Sequence, residues 1–330
     1  MDGQGWSRWH HRVHRQLLDQ PTLLPAHSRL LLAVSGGQDS MALLRLLLDL
    51  RHLHHWSLQV WHGDHRWHSN SGQIASALEA WCQQHGQTLL ISRADPGDAS
   101  SESTARAWRY RELLHHCRRL NADAVTAHTA SDRAETMLIN LARGSDLAGL
   151  CSLPGQRALS TDHPNGPRLR RPLLQLSRGD TASICTELQL PIWLDPSNAS
   201  PIPTRNRIRH SVLPVLETLH PGCSIRMAAL AERLSDQERS RRELSDLALR
   251  QLGHGSDLDR HRLAALSTTT RQQLLAHWLK TSGVPTVSAA QLLELSGRLE
   301  AGQPGGQACL SGGWTLSWQG GRITLAQGRR

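Results

Sequence analysis

The segment Ser35-Gly36-Gly37-Gln38-Asp39-Ser40 has the residue types and spacing to hold phosphate. Two adjacent glycines let the backbone turn tightly and point successive N–H groups into one concavity, and the hydroxyls of Ser35 and Ser40 add donors. Where such a turn joins a strand to a helix, the helix N-terminus adds positive potential, so the whole is an anion cradle. Asp39 is out of place there unless a metal ion such as magnesium joins it to the phosphates. This is not the Walker arrangement, because no GxxxxGKS or GxxxxGKT string is present. Asp132 and Glu135, three residues apart, present two carboxylates to one place on a helix. That pair suits an ammonium group, to orient it or to accept its proton. The alternative is an acidic pair that the dipole favours at a helix N-terminus.

These residues need a framework, and the hydrophobic pattern supplies one. Arg29–Val34 predicts a short buried strand that ends in Ser35–Ser40 and runs into an apolar helix, Met41–Leu50. Trp56–His62 predicts a second strand, followed by a polar loop from Gly63 to Gly72 and a helix over Gln73–Gln84. Thr88–Ser92 reads as a third strand, Thr104–Leu120 as a helix stopped by Asn121, and Ala122–Ala127 as a fourth strand. Ser131–Leu141 is another helix, ending at Gly144. Strands alternating with helices at this pitch mean βαβ units: an α/β domain, a parallel sheet with helices on both faces. Ligands of such sheets sit beyond the carboxyl ends of the strands. The segments Ser35–Ser40, Gly63–His65 and His128–Asp132 would all open onto that edge.

Farther on, Pro154–Pro167 is turn-rich, and Leu169–Leu176 and Pro191–Asn198 are short Pro-punctuated segments that close the first domain. Arg205–His210 is a basic patch opening a helix that ends near Leu219, and Pro221-Gly222 marks a boundary. Ile225–Leu252 reads as a long amphipathic helix, Arg260–Ser282 and Ala289–Leu299 as further helices. Trp314–Trp318 and Arg322–Leu325 around Gly320-Gly321 read as a hairpin. The expected division is an N-terminal leader or helix over 1–28, the α/β domain over 29–219, a smaller mainly helical domain over 220–300, and a tail with a hairpin over 301–330.

The chain has 330 residues, 38% of them hydrophobic, and no apolar run approaches the roughly 20 residues that span a bilayer. Its N-terminus is rich in Trp, His and Arg and lacks an apolar segment of signal-peptide type, which implies a cytoplasmic location and no membrane partner. Six cysteines lie tens of residues apart with no CxxC, so they read as reduced packing thiols rather than zinc or iron–sulfur ligands. The net charge of +9 suits a polyanion such as nucleic acid. Charge alone leaves a genome-wide arginine bias equally open, since Lys280 is the only lysine, Phe is absent and Tyr110 is the only tyrosine.

Ala33-Val34-Ser35-Gly36-Gly37-Gln38-Asp39-Ser40 resembles the SGGxDS loop of the N-type ATP pyrophosphatases (the PP-loop superfamily), which hold the pyrophosphate of ATP and release AMP from an adenylated substrate. Further blocks resemble one family within it, the tRNA(Ile)-lysidine synthetases. His62-Gly63-Asp64-His65 is similar to its HxDH block, Ala105 to Tyr110 to its ARxxRY helix, and Ala127 to Thr136 to its GHHxDDxxET block. Asp195-Pro196-Ser197-Asn198 and Arg205 to His210 resemble its DPSN and RNxIRH blocks. The likeness covers about Leu30 to Leu219, with the blocks in the family's order; beyond about Gly222 it is only general. Ala127 and Thr129 stand where the family pattern has Gly and His, and Ser131 replaces the first Asp of its pair.

The resemblance implies ATP and Mg2+, free L-lysine, and tRNA(Ile) with a CAU anticodon, whose wobble cytidine becomes lysidine. Ser35, Gly36, Gly37, Gln38, Asp39, Ser40, Asp64 and His65 would then bind ATP, with Asp39 near the magnesium. Asp39, His128, Asp132, Glu135 and Arg205 would be catalytic, and Asp132 with Glu135 would hold lysine. Arg106, Arg109, Arg205, Arg207 and Arg209 would grip tRNA, although Arg106 and Arg109 could instead pack with Tyr110. Trp61, Trp67 and Trp108 lie near the site, as core or as stacking platforms for a base. The helices after Pro221 would meet tRNA or a partner subunit, as in a homodimer.

Three rival readings remain: a tRNA thiolase of the same superfamily, an amide-transferring synthetase, and a nucleotide- or tRNA-binding module without turnover. Thiolases commonly carry paired or strategically spaced cysteines, and none of the six here sits in such a pair. The purified protein is therefore expected to be colourless and active without a sulfur donor; sulfur incorporation into tRNA would reverse that reading.

Overall fold

The computed structural model describes residues 6–67, 70–95, 97–193, 204–254 and 257–328. The chain forms two compact units, Met1–Ser235 and Asp236–Arg330. The first is built on a six-stranded sheet of β1 (Arg29–Ala33), β2 (Ser57–Asp64), β3 (Leu89–Arg93), β4 (Asp123–Thr126), β5 (Gln156–Ala158) and β6 (Arg168–Arg170). The order is β3-β2-β1-β4-β6-β5, with the first five parallel and β5 antiparallel to β6. The central strand reads as a continuous Leu run because both faces are covered. Leu30 and Leu32 join Val60, Leu89 and Val125 in one core, while Leu31 joins Trp61, Ala124 and Leu169 in another.

Helix α1 (Arg8–Asp19) buries Trp9, Val13 and Leu17, spaced by four, in the first of these cores, so the expected leader over 1–28 is part of the α/β unit. Helix α2 (Gln38–His54) starts directly at the glycine turn and is longer than expected at both ends. Its continuation past Leu50 buries His54. Helix α3 (Ser71–Gln84) follows β2, which extends through Gly63 and Asp64 into the expected loop because both pair with β3. Helix α4 (Glu102–Leu120), capped by Ser101 and closed by Asn121 at φ 49°, covers the other face with Leu113 and Cys117. Helix α5 (Ala130–Ala142) starts at Thr129, and the short α6 (Leu147–Leu150) follows.

Helix α7 (Arg178–Glu187) was not legible as a helix, because it buries only Thr181, Ile184 and Cys185 and shows little amphipathic pattern. The basic segment forms α8 (Thr204–Arg207), a π-helical turn over Ile208–Val212, and α9 (Leu213–Leu219). Pro214 lies near the start of α9, where the missing N–H and ring of a proline disrupt ordinary α-helical bonding; the wider turn precedes it.

Helix α10 (Cys223–Leu252) starts just after the expected boundary at 219/220, and the division of the chain into units falls within it, after Ser235. Its first turns belong to the first unit: Cys223, Ala228 and Ala231 are buried, and Arg133 donates to Ala228 O at 3.3 Å. The second unit holds β7 (Gly253–His254), β8 (Asp257–Asp259), α11 (Arg260–Ala264), α12 (Thr268–Thr281), α13 (Ala289–Arg298), β9 (Gly306–Leu310), β10 (Trp314–Gln319) and β11 (Arg322–Gln327). The expected hairpin is β10–β11, turning at Gly320 and Gly321, both with positive φ. It is not a separate tail: it lies inside a five-stranded antiparallel sheet, β7-β8-β11-β10-β9. Leu316, Trp318 and Ile323 share one core with Leu274, Leu275 and Leu295 of the helices, which makes 236–330 one unit of helices and sheet.

Glu217 secures the start of α10, accepting from the N–H groups of Gly222 at 2.7 Å and Ser224 at 2.9 Å and from the Ser224 hydroxyl at 2.6 Å. Burial alone would raise its carboxyl, yet these bonds to Ser224 and Gly222 bring it down to about 2 from 4.5. A carboxyl depressed on folding contributes stability that is present above its unfolded value and lost as pH falls through its native one. Glu217→Ala is expected to lower unfolding free energy by about 1 kcal/mol near neutral pH. The difference from wild type should fade between about pH 4.5 and 2 in a urea titration.

Candidate active site

The glycine turn joins β1 to α2 at the carboxyl edge of the sheet. Gly36 has φ +85°, and a Cβ there would meet Trp193 at 3.2 Å and Ile74 at 3.3 Å, so both conformation and space require glycine. The Ser40 hydroxyl donates to Gly37 O at 2.8 Å and accepts from Ser35 N at 3.2 Å, while Gly37 N donates to the Ser35 hydroxyl at 3.3 Å. The serines thus brace the turn as well as offering donors, and Gly37 opens α2 with no side chain capping it.

Asp39 faces two residues of α7 that the sequence reading missed. Its carboxylate accepts from the Thr181 hydroxyl at 2.5 Å and from Arg178 Nη1 at 3.1 Å. Burial raises the Asp39 carboxyl above its ordinary range, against the pull of Thr181 and Arg178. Gln38 Nε2 donates to Arg178 O at 2.7 Å, and Arg178 N donates to the hydroxyl of Ser131 at 3.1 Å. Arg178 therefore touches both the glycine turn and the start of α5. The available signal was Ser177 followed three residues later by Asp180, a capping box that starts α7. Among the described residues no group of three or more His, Cys, Asp or Glu side chains could hold a metal. A lone carboxylate at Asp39 fits magnesium bound mainly through phosphates and water.

At the end of β2, Asp64 is buried and accepts from Arg66 N at 2.8 Å. Nε2 of His65 meets Arg109 Nη2 at 2.8 Å, and its ring packs edge-on to Trp108. Trp61 and Trp108 are core residues, and a Cβ on Gly63 would meet Trp61 at 2.6 Å; Trp67, 40% exposed, is the one of the three open to a stacking base. His128 Nδ1 lies 2.9 Å from the Thr126 hydroxyl. Burial pushes its imidazole down to about 3 despite Asp132, with Arg171, Arg205 and Arg106 acting in the same direction as burial, so it is neutral near pH 7.

Asp132 and Glu135 do share one place, but two guanidiniums already fill it. Arg205 donates to Glu135 at 2.7 Å and Asp132 at 2.8 Å; Arg209 donates to Glu135 at 2.6 Å and Asp132 at 3.1 Å. The other Asp132 oxygen accepts from the N–H and hydroxyl of Thr129, which caps α5. Burial would raise the Asp132 carboxyl, but Arg205, the Thr129 N–H and Arg209 keep it below the ordinary range. Arg205 and Arg209 are thus turned inward, whereas Arg207 is exposed. Arg106 stacks over Tyr110 at 5.1 Å. The Asp195–Asn198 block lies outside the described residues.

Four cysteines, Cys82, Cys117, Cys185 and Cys223, are buried packing groups, whereas Cys309 is exposed. Burial pushes Cys82 and Cys185 up to about 11 and Cys117 up to about 12, and Cys185 Sγ donates to Gln38 O at 3.3 Å beneath the turn.

A family model described as a PP-loop domain matches residues 9–216, and one described as a TilS substrate binding domain matches residues 258–327. A protein named tRNA(Ile)-lysidine synthase from Parasynechococcus marenigrum (strain WH8102) is 56% identical over 320 residues, 97% of this chain and 95% of that protein. One of the same name from a strain of Prochlorococcus marinus is 42% identical over 328 residues, 97% of this chain and 96% of its own. Among solved structures, the U34-tRNA thiolase NcsA from Methanococcus maripaludis with its 4Fe–4S cluster has a TM-score of 0.58 at 18% identity, covering 68% of this chain and 78% of that one. That likeness is one of fold.

Removing Glu135 would leave two guanidiniums facing the single carboxylate of Asp132, one positive charge uncompensated. Glu135→Ala is expected to cost about 3 kcal/mol in denaturant unfolding, while Arg207→Ala should stay within about 0.5 kcal/mol. Because the Asp132 carboxyl is depressed, its contribution is present above about pH 4 and lost as pH falls through its native value.

Proposed function

The chain belongs to the tRNA(Ile)-lysidine synthase family, and from that membership we propose how its residues divide an ATP-dependent ligation on tRNA. It is an ATP-using ligase that modifies tRNA. The proposed reaction converts the wobble cytidine of a CAU anticodon into lysidine. Cytosine O2 attacks the α-phosphorus of ATP, the bond from that phosphorus to the bridging oxygen breaks, and pyrophosphate leaves. The amine of free L-lysine then attacks C2, the C2–O2 bond breaks, AMP departs with that oxygen, and the amine gives up a proton.

The observation that carries this assignment is that one sheet edge holds both an anion cradle and a carboxylate pair, with Arg178 touching the segments that bear them. The N–H groups and hydroxyls of Ser35–Ser40 would hold the leaving pyrophosphate, with Asp64 and His65 beside the nucleotide. Asp39 would hold magnesium once Arg178 releases it, and the ion would offset charge developing on the phosphate oxygens. Two carboxylates and two guanidiniums balance in the Asp132–Glu135–Arg205–Arg209 group. If Arg205 swings to the reacting phosphate, a lysine ammonium can take its place without unbalancing the group. Neutral His128 can accept or donate a hydrogen bond beside the adenylated base. Arg106, Arg109, Arg205, Arg207 and Arg209 would steady the RNA, and the match of residues 258–327 to a substrate binding domain supports a share for the second unit. A tRNA substrate supports a cytoplasmic location as part of the same proposal. A sulfur-transfer reading is not favoured, because no two of the six cysteines have CxxC spacing and the thiols of Cys82, Cys117 and Cys185 are buried and raised.

Purified protein mixed with ATP, magnesium, lysine and tRNA(Ile) carrying CAU should release AMP, and the wobble cytidine should gain the mass of lysine less water. AMP release without that gain would overturn lysine as the nucleophile. Asp39→Ala should abolish pyrophosphate release, and Asp132→Ala should impair lysine attachment more than adenylation. Equal loss of both half-reactions in the Asp132 variant would sink its lysine role.

A further inference from the structure

We propose that Arg106, Arg157 and Arg171, gathered by Tyr110, form a second phosphate site distinct from the glycine turn. The proposal rests on the ATP-dependent tRNA reading for the source of the phosphate, and on the structure for the site.

Arg171 is the starting point. Of the four buried arginines among the described residues, Arg133 pairs with Glu232 at 2.6 Å, Arg170 with Asp123 at 2.7 Å and Arg271 with Glu300 at 2.9 Å. Arg171, 1% exposed, has no such pair among the described residues. Its Nη1 donates to Pro154 O at 2.7 Å, and its buried Nε has no hydrogen-bond partner. A buried cation with an orphaned donor is costly unless an anion completes it.

Two more guanidiniums stand beside it. Arg106 and Arg157 lie over the Tyr110 ring with Cζ at 5.1 and 5.0 Å, and the charge of Arg171 also acts on the Tyr110 phenol. Arg157 also donates to Ala158 O at 2.7 Å, a neutral acceptor. Burial pushes the phenol up, yet Arg106, Arg171 and Arg157 together bring it below its ordinary value. Three cations thus meet around one aromatic ring with no carboxylate paired to any of them among the described residues. A phosphoryl group, with several oxygens for planar guanidinium forks, is the chemistry that fits.

Its place makes it a separate station. Arg171 immediately follows β6, whose parallel neighbour β4 leads into His128, and the charges of Arg171 and Arg106 both act on that imidazole. The glycine turn follows β1, two strands away in the order β1-β4-β6. That is a lateral offset of about 10 Å between the strand ends, which favours separate occupants. The occupant is then a second phosphoryl group, from the RNA backbone beside the target base or from the part of the nucleotide that the glycine turn does not hold.

The test uses the full chain and three variants: Arg157→Gln, Arg171→Gln and Arg157→Lys. An anticodon stem-loop RNA and ATP are titrated separately across a salt series, and inorganic phosphate is followed by thermal midpoint. If the phosphate comes from RNA, Arg157→Gln should weaken stem-loop binding about ten-fold and reduce the salt slope by about 0.7, with ATP affinity unchanged and Lys restoring part of the loss. If it comes from the nucleotide, ATP affinity should fall about ten-fold instead. Arg157 is half-buried at a short outer strand, so its variants should fold even if Arg171→Gln does not. A phosphate-dependent rise in midpoint that survives Gly36→Ala but is lost in Arg157→Gln would uphold the site even if the tRNA reading failed. RNA, ATP and phosphate responses all within two-fold of wild type in Arg157→Gln would overturn the proposal and leave the cluster a structural cross-link.

Discussion

Two carboxylates one helical turn apart do not stay ionised in an interior unless cations come to them. Asp132 and Glu135 are in that position, and Arg205 and Arg209 meet them from a segment that follows some seventy residues later. The spacings match, since residues i and i+3 on α5 face residues i and i+4 across α8 and the π-turn. This one requirement brings the basic segment back to the carboxyl edge of the sheet. It also explains Thr129, whose N–H and hydroxyl satisfy the Asp132 oxygen that the arginines leave.

The same logic recurs along the edge. Asp39 in the glycine turn is neutralised by Arg178 of α7, and Arg133 by Glu232 in the early turns of α10. The proposed substrate set, carrying phosphates, an ammonium group and a metal ion, would bring matching charges to the Asp39 and Asp132–Glu135 stations. Counter-charges supplied by the protein can then exchange for those of the substrates at little electrostatic cost, which isolated buried charges could not do. The basic group around Tyr110 differs, because no carboxylate among the described residues balances it.

Around this edge the rest of the first unit is scaffold. The Leu run of β1 fills cores on both faces of the sheet, and Gly63 is small because Trp61 lies against it. The raised thiols of Cys82, Cys117 and Cys185 belong to this scaffold.

Much of this was legible in the sequence. The strand–turn–helix around Ser35–Ser40, the alternation of strands and helices through Ala142, and the hairpin at Gly320-Gly321 follow from local pattern and turn chemistry, which neighbouring residues decide. The pairing of Asp132 with Glu135 on one helical face was likewise local. What the sequence could not disclose were partners far along the chain. Arg178 and Thr181 reach Asp39 from a helix with almost no apolar stripe; Arg205 and Arg209 turn inward rather than toward solvent; and the hairpin enters a five-stranded sheet. Such contacts depend on which buried charge or open strand edge lacks a partner once the chain has collapsed. That is a property of the packed interior, so only the tertiary structure decided them.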